Sequence, residues 1–423
     1  MVAKNNMNIL SLDPMYSSLH SKIATLYSGK KYALLSSWAM RVYLKGYKCY
    51  LLSRYIERAI CSPEDYMVVD STQSHYKALI AIKEGRDIDH SERTYMAKYC
   101  SFLREFLVEK KIGLVILHND LRWHHALAIS VCKSLNIKYL VTEQGLFRPT
   151  TTIMDNCGVN AYSSLVSTNF LQSPKGAALS STSKIKYDHN SIISMAYFFV
   201  FLVLYKIGSF LNTNIPYQHN SYSLKKYILR FKNRVAKGAY NQIAPDNQIL
   251  PDKYIFVPLQ LEDDTQMLIH SEYKSNQYII SEIEKQFLSQ KVSIVFKKHP
   301  NDTNNYILGS KSFFAEGAII KLAEKAMLSI TVNSSAAIDI IKTNCPLFLL
   351  GDSIYNFEGI GTKISMSEIC HEYIKLCSGK KYADRDKRDA YISFLKDVYS
   401  VHGAGFSYDI NEIKRSLERN ELL

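Results

Sequence analysis

Short apolar runs rich in β-branched residues alternate with longer stretches of helical periodicity in the first half of the chain. Five such runs lie at residues 8–12, 31–36, 47–53, 112–118 and 137–142. Four more follow at residues 254–259, 292–300, 327–335 and 345–352. Alternation of this kind is typical of parallel sheets with crossover helices. The pattern therefore predicts an α/β protein with two Rossmann-like domains.

The two groups of runs are separated by a segment with a different pattern. It contains the most apolar run of the chain, residues 192–204, and then a basic stretch, residues 223–240, with apolar side chains at helical spacing. We expect an acceptor-side Rossmann-like domain over residues 1–180, a helical connector over 181–250, a second Rossmann-like domain over 251–400 and a helical tail over 401–423. The apolar run is shorter than the roughly 18–20 residues of a spanning helix, which favours a buried or interfacial helix.

Size and charge narrow the class of protein. The 423 residues exceed the length of about 250–300 residues at which single cores stop growing. An excess of 52 Lys and Arg over 39 Asp and Glu favours anionic partners, such as a phosphate-bearing donor, an acidic glycan or a lipid surface. Nucleic acid is the least favoured partner, because the basic residues are dispersed and form no recognition motif.

Cysteine spacing and the N-terminal sequence indicate the compartment. The eight cysteines are scattered and form no C-x-x-C pair, which favours a reducing environment over a zinc module or a disulfide framework. The apolar stretch before Asp13 is too short for the core of a signal peptide. We therefore expect a cytoplasmic protein.

Polar residues follow two strands of the first domain. After 112–118 come Asp120, which could cap the next helix, and Arg122. After 137–142 come Glu143, a glycine and Arg148, residue types that suit recognition of a charged sugar. A helix cap and a structural turn remain the simpler alternatives. Parallel sheets bind ligands at the carboxyl ends of their strands, so we expect these side chains to face a cleft between the two domains.

Three strands of the second domain end in chemically suggestive residues. Gln260 is followed by three acids that end at Asp264, and a later strand ends at Lys298 and His299. A third is followed by Asn333, Ser334 and Ser335, which predict a helix start with room for a phosphate. The acids could bind a divalent metal, but they lack a neighbouring histidine and the Asp-x-Asp spacing, so metal is the weaker interpretation.

Taken in this order, the motifs resemble those of the retaining β-Kdo transferases of bacterial capsule and lipopolysaccharide assembly. The resemblance rests on E-x-G-x-x-R-P at 143–149, G-V-N-x-x-S at 158–163, P-L-Q-x-E-x-D at 258–264, K-H-P at 298–300 and N-S-S at 333–335. It covers about the middle half of the chain. One departure is at the first strand, where family members carry Gly-Pro-Phe and this chain has Asp13-Pro14-Met15, so the acceptor is not indicated.

The resemblance implies a GT-B-like fold, CMP-Kdo as the donor, no metal or other cofactor, and retention through a covalent sugar adduct. Asp264 matches the nucleophile, Glu143 the acid of the E-x-G motif, and His299 a donor-side histidine. Substrate binding would then fall to the remaining motif and strand-end residues: Asp120, Arg122, Arg148, Gln260, Lys298, Asn333, Ser334 and Ser335.

Two other functions fit the same residues. An inverting transferase of the CMP-sialic-acid type would share the His-Pro and the serine-rich helix start. A non-catalytic protein that binds glycans or membranes would explain the basic connector, although it would have no use for acids at two strand ends. In each case the expected partners are a glycan or glycolipid and an anionic membrane surface, with the protein peripheral at the inner face of the cytoplasmic membrane.

Overall fold

The computed structural model describes residues 5–14, 16–167, 191–218 and 250–423. The chain divides into two compact units. Unit 1 contains the described parts of Met1–Ser164, Ala178–Phe231 and Asp397–Leu423, and unit 2 those of Leu165–Ala177 and Lys232–Lys396. Each unit buries a core of its own, as the length of the chain predicts.

The strands of the described residues are numbered here in chain order. Those of the first half are β1 (Asn8–Leu12), β2 (Lys31–Leu35), β3 (Lys48–Leu51), β4 (Ile112–His118), β5 (Lys138–Gln144) and β6 (Thr151–Asp155). Those of the second half are β7 (Tyr254–Pro258), β8 (Ser293–Lys297), β9 (Ser312–Phe314), β10 (Leu328–Thr331), β11 (Leu347–Leu349), β12 (Thr362–Lys363), β13 (Val401–Ala404) and β14 (Ser407–Tyr408).

The α-helices are numbered in the same way. The first seven are α1 (Leu19–Ala24), α2 (Ser53–Ile56), α3 (Pro63–Ser71), α4 (His75–Lys83), α5 (His90–Glu109), α6 (Trp123–Ser134) and α7 (Ser191–Phe210). The others are α8 (Thr265–Ile269), α9 (Asn276–Gln286), α10 (Ile319–Lys325), α11 (Ala337–Ile341), α12 (Ile369–Cys377), α13 (Arg385–Ser393) and α14 (Ile410–Arg419).

Unit 1 is built on an eight-stranded sheet in the order β14-β13-β6-β5-β4-β1-β2-β3. The pairs among β1 to β5 are parallel, whereas β6 and β13 join antiparallel at one side. The central strands β1 and β4 are almost entirely buried, as their continuous apolar runs predict. The local sequence determines where α5 starts, because Asp89 and Glu92 form a reciprocal capping box there.

Unit 2 is built on a six-stranded parallel sheet in the order β12-β11-β10-β7-β8-β9. Its core contains apolar side chains from β7, β8 and β10 together with α9, including Ile255, Phe296, Ile330 and Ile283. The predicted α/β class with two Rossmann-like domains is therefore confirmed. All nine runs read from the sequence contain observed strands.

The connector and the tail differ from the boundaries read from the sequence. Within the expected connector, α7 packs through Phe201, Leu202 and Tyr205 into the core of unit 1. The expected helical tail supplies β13 and β14 as well as α14, and Val401 and Leu417 enter the same core. Contacts between residues distant in the chain decide that these elements belong to unit 1, and a local sequence pattern does not show such contacts. The basic stretch at 223–240 lies outside the described residues.

Helix α7 is also longer than the apolar run suggested. It extends over 20 residues, and its length and apolar composition are sufficient to cross a membrane. One face packs on unit 1 through the residues above, with Tyr197 and Phe198 beside them. The other face is exposed, with Ile192, Phe199 and Phe210 at 72%, 55% and 86% exposure.

Candidate functional site

The three motif loops of unit 2 follow three adjacent strands. Strands β10, β7 and β8 are neighbours and parallel, so the residues that follow them lie at one edge of the sheet. The chain passes from β7 to β8 on one side and returns to β10 on the other. This reversal is a topological switch point, the usual position of a ligand crevice in an open α/β sheet.

Two buried amides join the loops at this switch point. Gln260 donates from Nε2 to Asn333 Oδ1 at 3.0 Å, and the Asn333 backbone N–H donates to Gln260 Oε1 at 3.0 Å. Asn333 also donates from Nδ2 to the Gln266 carbonyl at 3.0 Å. Because their polar atoms are used in this network, Gln260 and Asn333 hold the two loops together.

The loop after β7 that carries Glu262, Asp263 and Asp264, here called the acid loop, ends in a helix cap. Asp264 is half-buried at the N-cap of α8 and accepts a hydrogen bond from the Gln266 N–H at 2.8 Å. Asp263 is exposed. The cap fixes the position of the Asp264 carboxylate, and the structure thus distinguishes two acids that the sequence did not.

The Lys-His-Pro strand end presents its two basic residues half-buried. Lys298 Nζ donates to the Asn304 carbonyl at 2.5 Å and lies 5.6 Å from the centre of the Tyr306 ring. His299 accepts at Nδ1 from the Asn301 N–H at 3.2 Å. Since Nδ1 accepts, the neutral ring carries its proton on Nε2.

The serine pair does not open a long helix. Ser334 and Ser335 lie in a turn, and α11 begins at Ala337 and has only five residues. Ser334 Oγ accepts from the Ala336 N–H at 3.2 Å, whereas Ser335 is exposed. The expectation of a helix start at these serines was wrong by two residues, because the N-cap of α11 is Ala336.

In unit 1 the edge beside β4 and β5 is centred on Glu143. Its carboxylate accepts from Asn119 Nδ2 at 2.9 Å and from the Gln144 N–H at 2.8 Å, and it lies 3.7 Å from His118 Nε2. Burial alone would raise the pKa of Glu143, but His118 and these hydrogen bonds outweigh it and lower the pKa. The carboxylate is therefore ionised near neutral pH, as a proton acceptor must be.

Asp120 does not cap the following helix. The N-cap of α6 is Arg122, which makes no side-chain capping bond, and Asp120 Oδ2 instead accepts from the Val159 N–H at 2.7 Å. Burial raises the pKa of Asp120 to about 7. The carboxylate thus holds the loop that carries the G-V-N motif, so the predicted cap was wrong. Arg148 is exposed in the loop between β5 and β6.

Sequence reasoning missed the buried pair Asp13 and His124. Asp13 follows β1, and its Oδ2 lies 3.0 Å from His124 Nε2, while its Oδ1 accepts from the Ser36 N–H at 2.9 Å. Burial opposes ionisation of Asp13, but the contacts with His124 and Ser36 outweigh it and lower its pKa. The sequence offered one sign of this residue, because Asp13 directly follows the first predicted strand. The structure adds that this strand, β1, is the neighbour of β4.

Among the described residues, one group could hold a metal ion. Asp13, His124 and His125 offer donor atoms within 4.8 Å of one another, and all three are buried. Burial lowers the pKa of both histidines, and the nearby charge of Arg122 lowers it further. The same positive charge opposes the binding of a cation at this point.

Known proteins resemble this chain over much of its length. Residues 114–403 match the family model of the capsule polysaccharide biosynthesis proteins. The capsule polysaccharide modification protein LipB of Neisseria meningitidis serogroup A is 24% identical over 339 residues, which are 72% of this chain and 78% of LipB. The capsule polysaccharide export protein KpsS of Escherichia coli is 24% identical over 302 residues, 63% of this chain and 76% of KpsS.

Two solved structures illustrate the fold neighbours. KpsC of Thermosulfurimonas dismutans, a β-Kdo 2,7 transferase, is 14% identical with a TM-score of 0.39 and covers 76% of this chain and 89% of its own. The UDP-GlcNAc 2-epimerase of Neisseria meningitidis is 13% identical with a TM-score of 0.33, and the match covers 98% of this chain and 99% of the epimerase chain. From the family match over residues 114–403, the chain belongs to the capsule polysaccharide biosynthesis protein family.

Proposed function

We propose that this protein is a glycosyltransferase that moves Kdo from CMP-Kdo to a glycan or glycolipid acceptor in capsule or lipopolysaccharide assembly. The observation that supports it is the arrangement of unit 2, where the acid loop, the Lys-His-Pro end and the serine turn follow three adjacent strands. The loops after β7 and β10 flank the switch point, where open α/β sheets bind nucleotides. Membership of a capsule biosynthesis family agrees with this role.

The leaving group of the donor would be CMP, a nucleoside monophosphate. Lys298 and His299 supply cationic or N–H groups at one strand end, and the serine turn supplies hydroxyls at another. Such groups stabilise a departing phosphate without a metal ion. Gln260 and Asn333 would act by positioning these loops, since their amides bind each other.

Transfer with retention needs two displacements. In the first, a carboxylate oxygen of Asp264 bonds to the anomeric carbon of Kdo, the bond to the phosphate breaks, and CMP departs with the electron pair. In the second, an acceptor hydroxyl bonds to that carbon and the ester to Asp264 breaks. The acceptor proton goes to a base, a role that the family resemblance gives to Glu143, whose carboxylate is ionised near neutral pH and so able to accept a proton.

We further propose that the protein works in the cytoplasm, peripheral at the inner face of the membrane. The exposed face of α7 is apolar. The segment Trp38–Tyr43 packs against α7, with Tyr43 and Tyr197 rings 6.4 Å apart, and Arg41 lies 5.7 Å from the exposed Trp38 ring. From residue 14 to 56 the chain has no acid but seven cations: Lys22, Lys30, Lys31, Arg41, Lys45, Lys48 and Arg54. An exposed apolar helix face, with Arg41 on the segment that packs against the helix, suits an anionic lipid surface.

The names of the relatives keep a second candidate open. LipB is named for capsule modification and KpsS for export, so a binding protein without catalysis is the alternative from another class. An inverting CMP-sialic-acid-type transferase is the alternative enzyme. Asp264 caps a helix and is half-buried, so its carboxylate is both fixed and accessible, as the nucleophile of a retaining enzyme must be.

Intact-mass analysis with two donors tests all three. Glu143→Gln should release CMP from CMP-Kdo once and accumulate an ester, because the first displacement does not use the base. Peptide mapping should place the added mass on Asp264. Release of CMP from CMP-sialic acid instead, without an adduct, would favour the inverting enzyme. If neither donor releases CMP, both transferases are overturned and the binding protein is left.

A further inference from the structure

The loop after β8, residues 298–306, carries Lys298 and His299 and folds back on itself. The Asp302 backbone N–H donates to the His299 carbonyl at 2.8 Å, and the Asn304 N–H donates to Asp302 Oδ1 at 2.9 Å. Lys298 Nζ donates to the Asn304 carbonyl at 2.5 Å. These bonds give the loop its shape, but they do not join it to the rest of the candidate site.

The hydroxyl of Tyr306, at the end of this loop, supplies that link. It donates to Asp302 Oδ2 at 2.8 Å and accepts from Asn304 Nδ2 at 3.3 Å, so it is bound to its own loop. It also accepts from Asn276 Nδ2 at 3.0 Å, and Asn276 is completely buried at the first position of α9. The one proton and both lone pairs of the hydroxyl are therefore used.

Asn276 leads from the tyrosine to the acid loop. Its side-chain amide also donates to the Gln260 carbonyl at 2.7 Å, and its backbone N–H donates to Glu262 Oε1 at 2.6 Å. The acid loop is thus bound four and two positions before the capped Asp264. Asn304 Nδ2 adds a longer contact, 3.5 Å, with Glu262 Oε2.

The ring of Tyr306 has a role separate from that of the hydroxyl. Lys298 Nζ lies 5.6 Å from the centre of the ring, a distance that suits attraction between a cation and an aromatic face. The ring also packs against the core of unit 2. A substitution that removes the hydroxyl and keeps the ring therefore separates the link between the loops from the packing.

We propose that Tyr306 is a positioning residue that holds the donor-side basic residues and Asp264 in one fixed arrangement. Gln260 and Asn333 join the loops after β7 and β10, and the tyrosine joins the loop after β8 to them. A nucleophile must meet the anomeric carbon while the phosphate on that carbon is held, so a fixed arrangement of the two loops raises the rate of the first displacement. This role deepens the proposed function and rests on it for the identity of the donor.

The link itself is measured on the protein without a donor. Tyr306→Phe should speed hydrogen exchange in both loops, because the side-chain amide of Asn276 loses a partner and each loop loses an anchor. Mass spectrometry follows the exchange of peptides that cover residues 260–268 and 298–306. Tyr278→Phe removes the hydroxyl of an exposed tyrosine on α9 and is the matched control, with exchange as in the wild type.

The chemical step shows whether the link serves the reaction. In folded Tyr306→Phe, single-turnover CMP release from CMP-Kdo should be about 10-fold slower, because the nucleophile and the phosphate site are no longer held together. The affinity for CMP, measured by calorimetry, should fall less than about 3-fold, since Lys298, His299 and the serine turn are retained. A tyrosine that serves the fold alone would lower the urea midpoint of the circular dichroism and leave both quantities unchanged.

Unchanged exchange in either loop of the folded variant overturns the link, and CMP release at the wild-type rate overturns its role in the reaction. Failure of the proposed transferase has a different signature, because the wild-type protein would then release no CMP. In that case the hydrogen exchange alone still decides whether Tyr306 joins the two loops.

Discussion

The strand edges of the two units hold similar residue types in opposite environments. In unit 1, Asp13, His118 and His124 are buried; Asp13 bonds to His124, and His118 lies 3.7 Å from Glu143. In unit 2, Asp264 and His299 are half-buried, and the buried Gln260 and Asn333 in the loops after β7 and β10 carry neutral amides. Burial and contacts therefore favour ionised Asp13 and neutral histidines at this edge of unit 1, whereas Asp264 and His299 of unit 2 remain accessible to a ligand.

This difference in burial distinguishes side chains that hold the fold in place from side chains that could react. Burial lowers the pKa of His20 to about 3, so this ring stays neutral at any physiological pH. It bonds at Nδ1 to Ser11 Oγ at 2.7 Å and therefore joins β1 to α1. Buried, neutral and hydrogen-bonded side chains contribute a rigid frame. Capped but accessible side chains such as Asp264 can exchange partners during a reaction.

The largest expected effect falls on the accessible edge. Asp264→Asn should lower the rate of CMP release by at least about 10³-fold, because the amide cannot form the sugar ester. Asparagine also caps helices, so the free energy of unfolding should change by less than about 0.5 kcal/mol. CMP release and urea unfolding measure the two quantities.

Asp263→Asn is the matched control for this prediction. Asp263 is exposed beside the cap, so its substitution should leave CMP release near the wild-type rate. If the two variants exchanged their phenotypes, the nucleophile would be Asp263 and the cap at Asp264 only structural. A wild-type rate in both would remove the nucleophile from the acid loop.

The second prediction concerns the buried edge and has a defined pH dependence. In the unfolded chain a histidine binds a proton near pH 6.5, whereas folded His20 resists protonation down to about pH 3. The unfolded state thus binds more protons between these values, and stability falls as the pH falls. From pH 7 to pH 5 this histidine alone should cost about 2 kcal/mol.

His20→Asn should remove that share of the pH dependence, since asparagine can keep the bond to Ser11 and does not titrate. The measurement is urea unfolding of unit 1, followed by tryptophan fluorescence at pH 5, 6 and 7, with His90→Asn as a control on the exposed start of α5. Parallel wild-type and His20→Asn curves would show that His20 binds a proton as readily in the folded protein as in the unfolded chain, and would contradict the prediction.

The smallest expected effect contrasts two exposed apolar surfaces of unit 1. The doubly substituted Phe199→Asp and Ile207→Asp protein should bind anionic vesicles about 10-fold more weakly, because two apolar side chains of the exposed α7 face lose their favourable transfer. Ile60→Asp changes an apolar side chain that is 88% exposed elsewhere in unit 1 and should bind normally. Equal binding by all three proteins would place the lipid contact away from α7.

Much of the fold was readable because strands carry a local signal. Buried parallel strands such as β4 and β7 are continuous apolar runs that end at polar residues, and their ends were found from the sequence. The short strands β9 and β12 and the antiparallel strands β6, β13 and β14 were missed. They have two to five residues, too few to show a periodic pattern, and the pairing of β6 with β13 joins parts of the chain that are distant in sequence.

The sequence by itself determined the α/β class and the ends of the main strands, including Glu143, Gln260 and Asp264, because apolar periodicity is a property of neighbouring residues. Only the tertiary structure decided that Asp13 meets His124, 111 positions away, and that Asp120 supports a loop. Strand order brings such groups together, and burial then sets their protonation. Both depend on packing from all sides, which no local pattern contains.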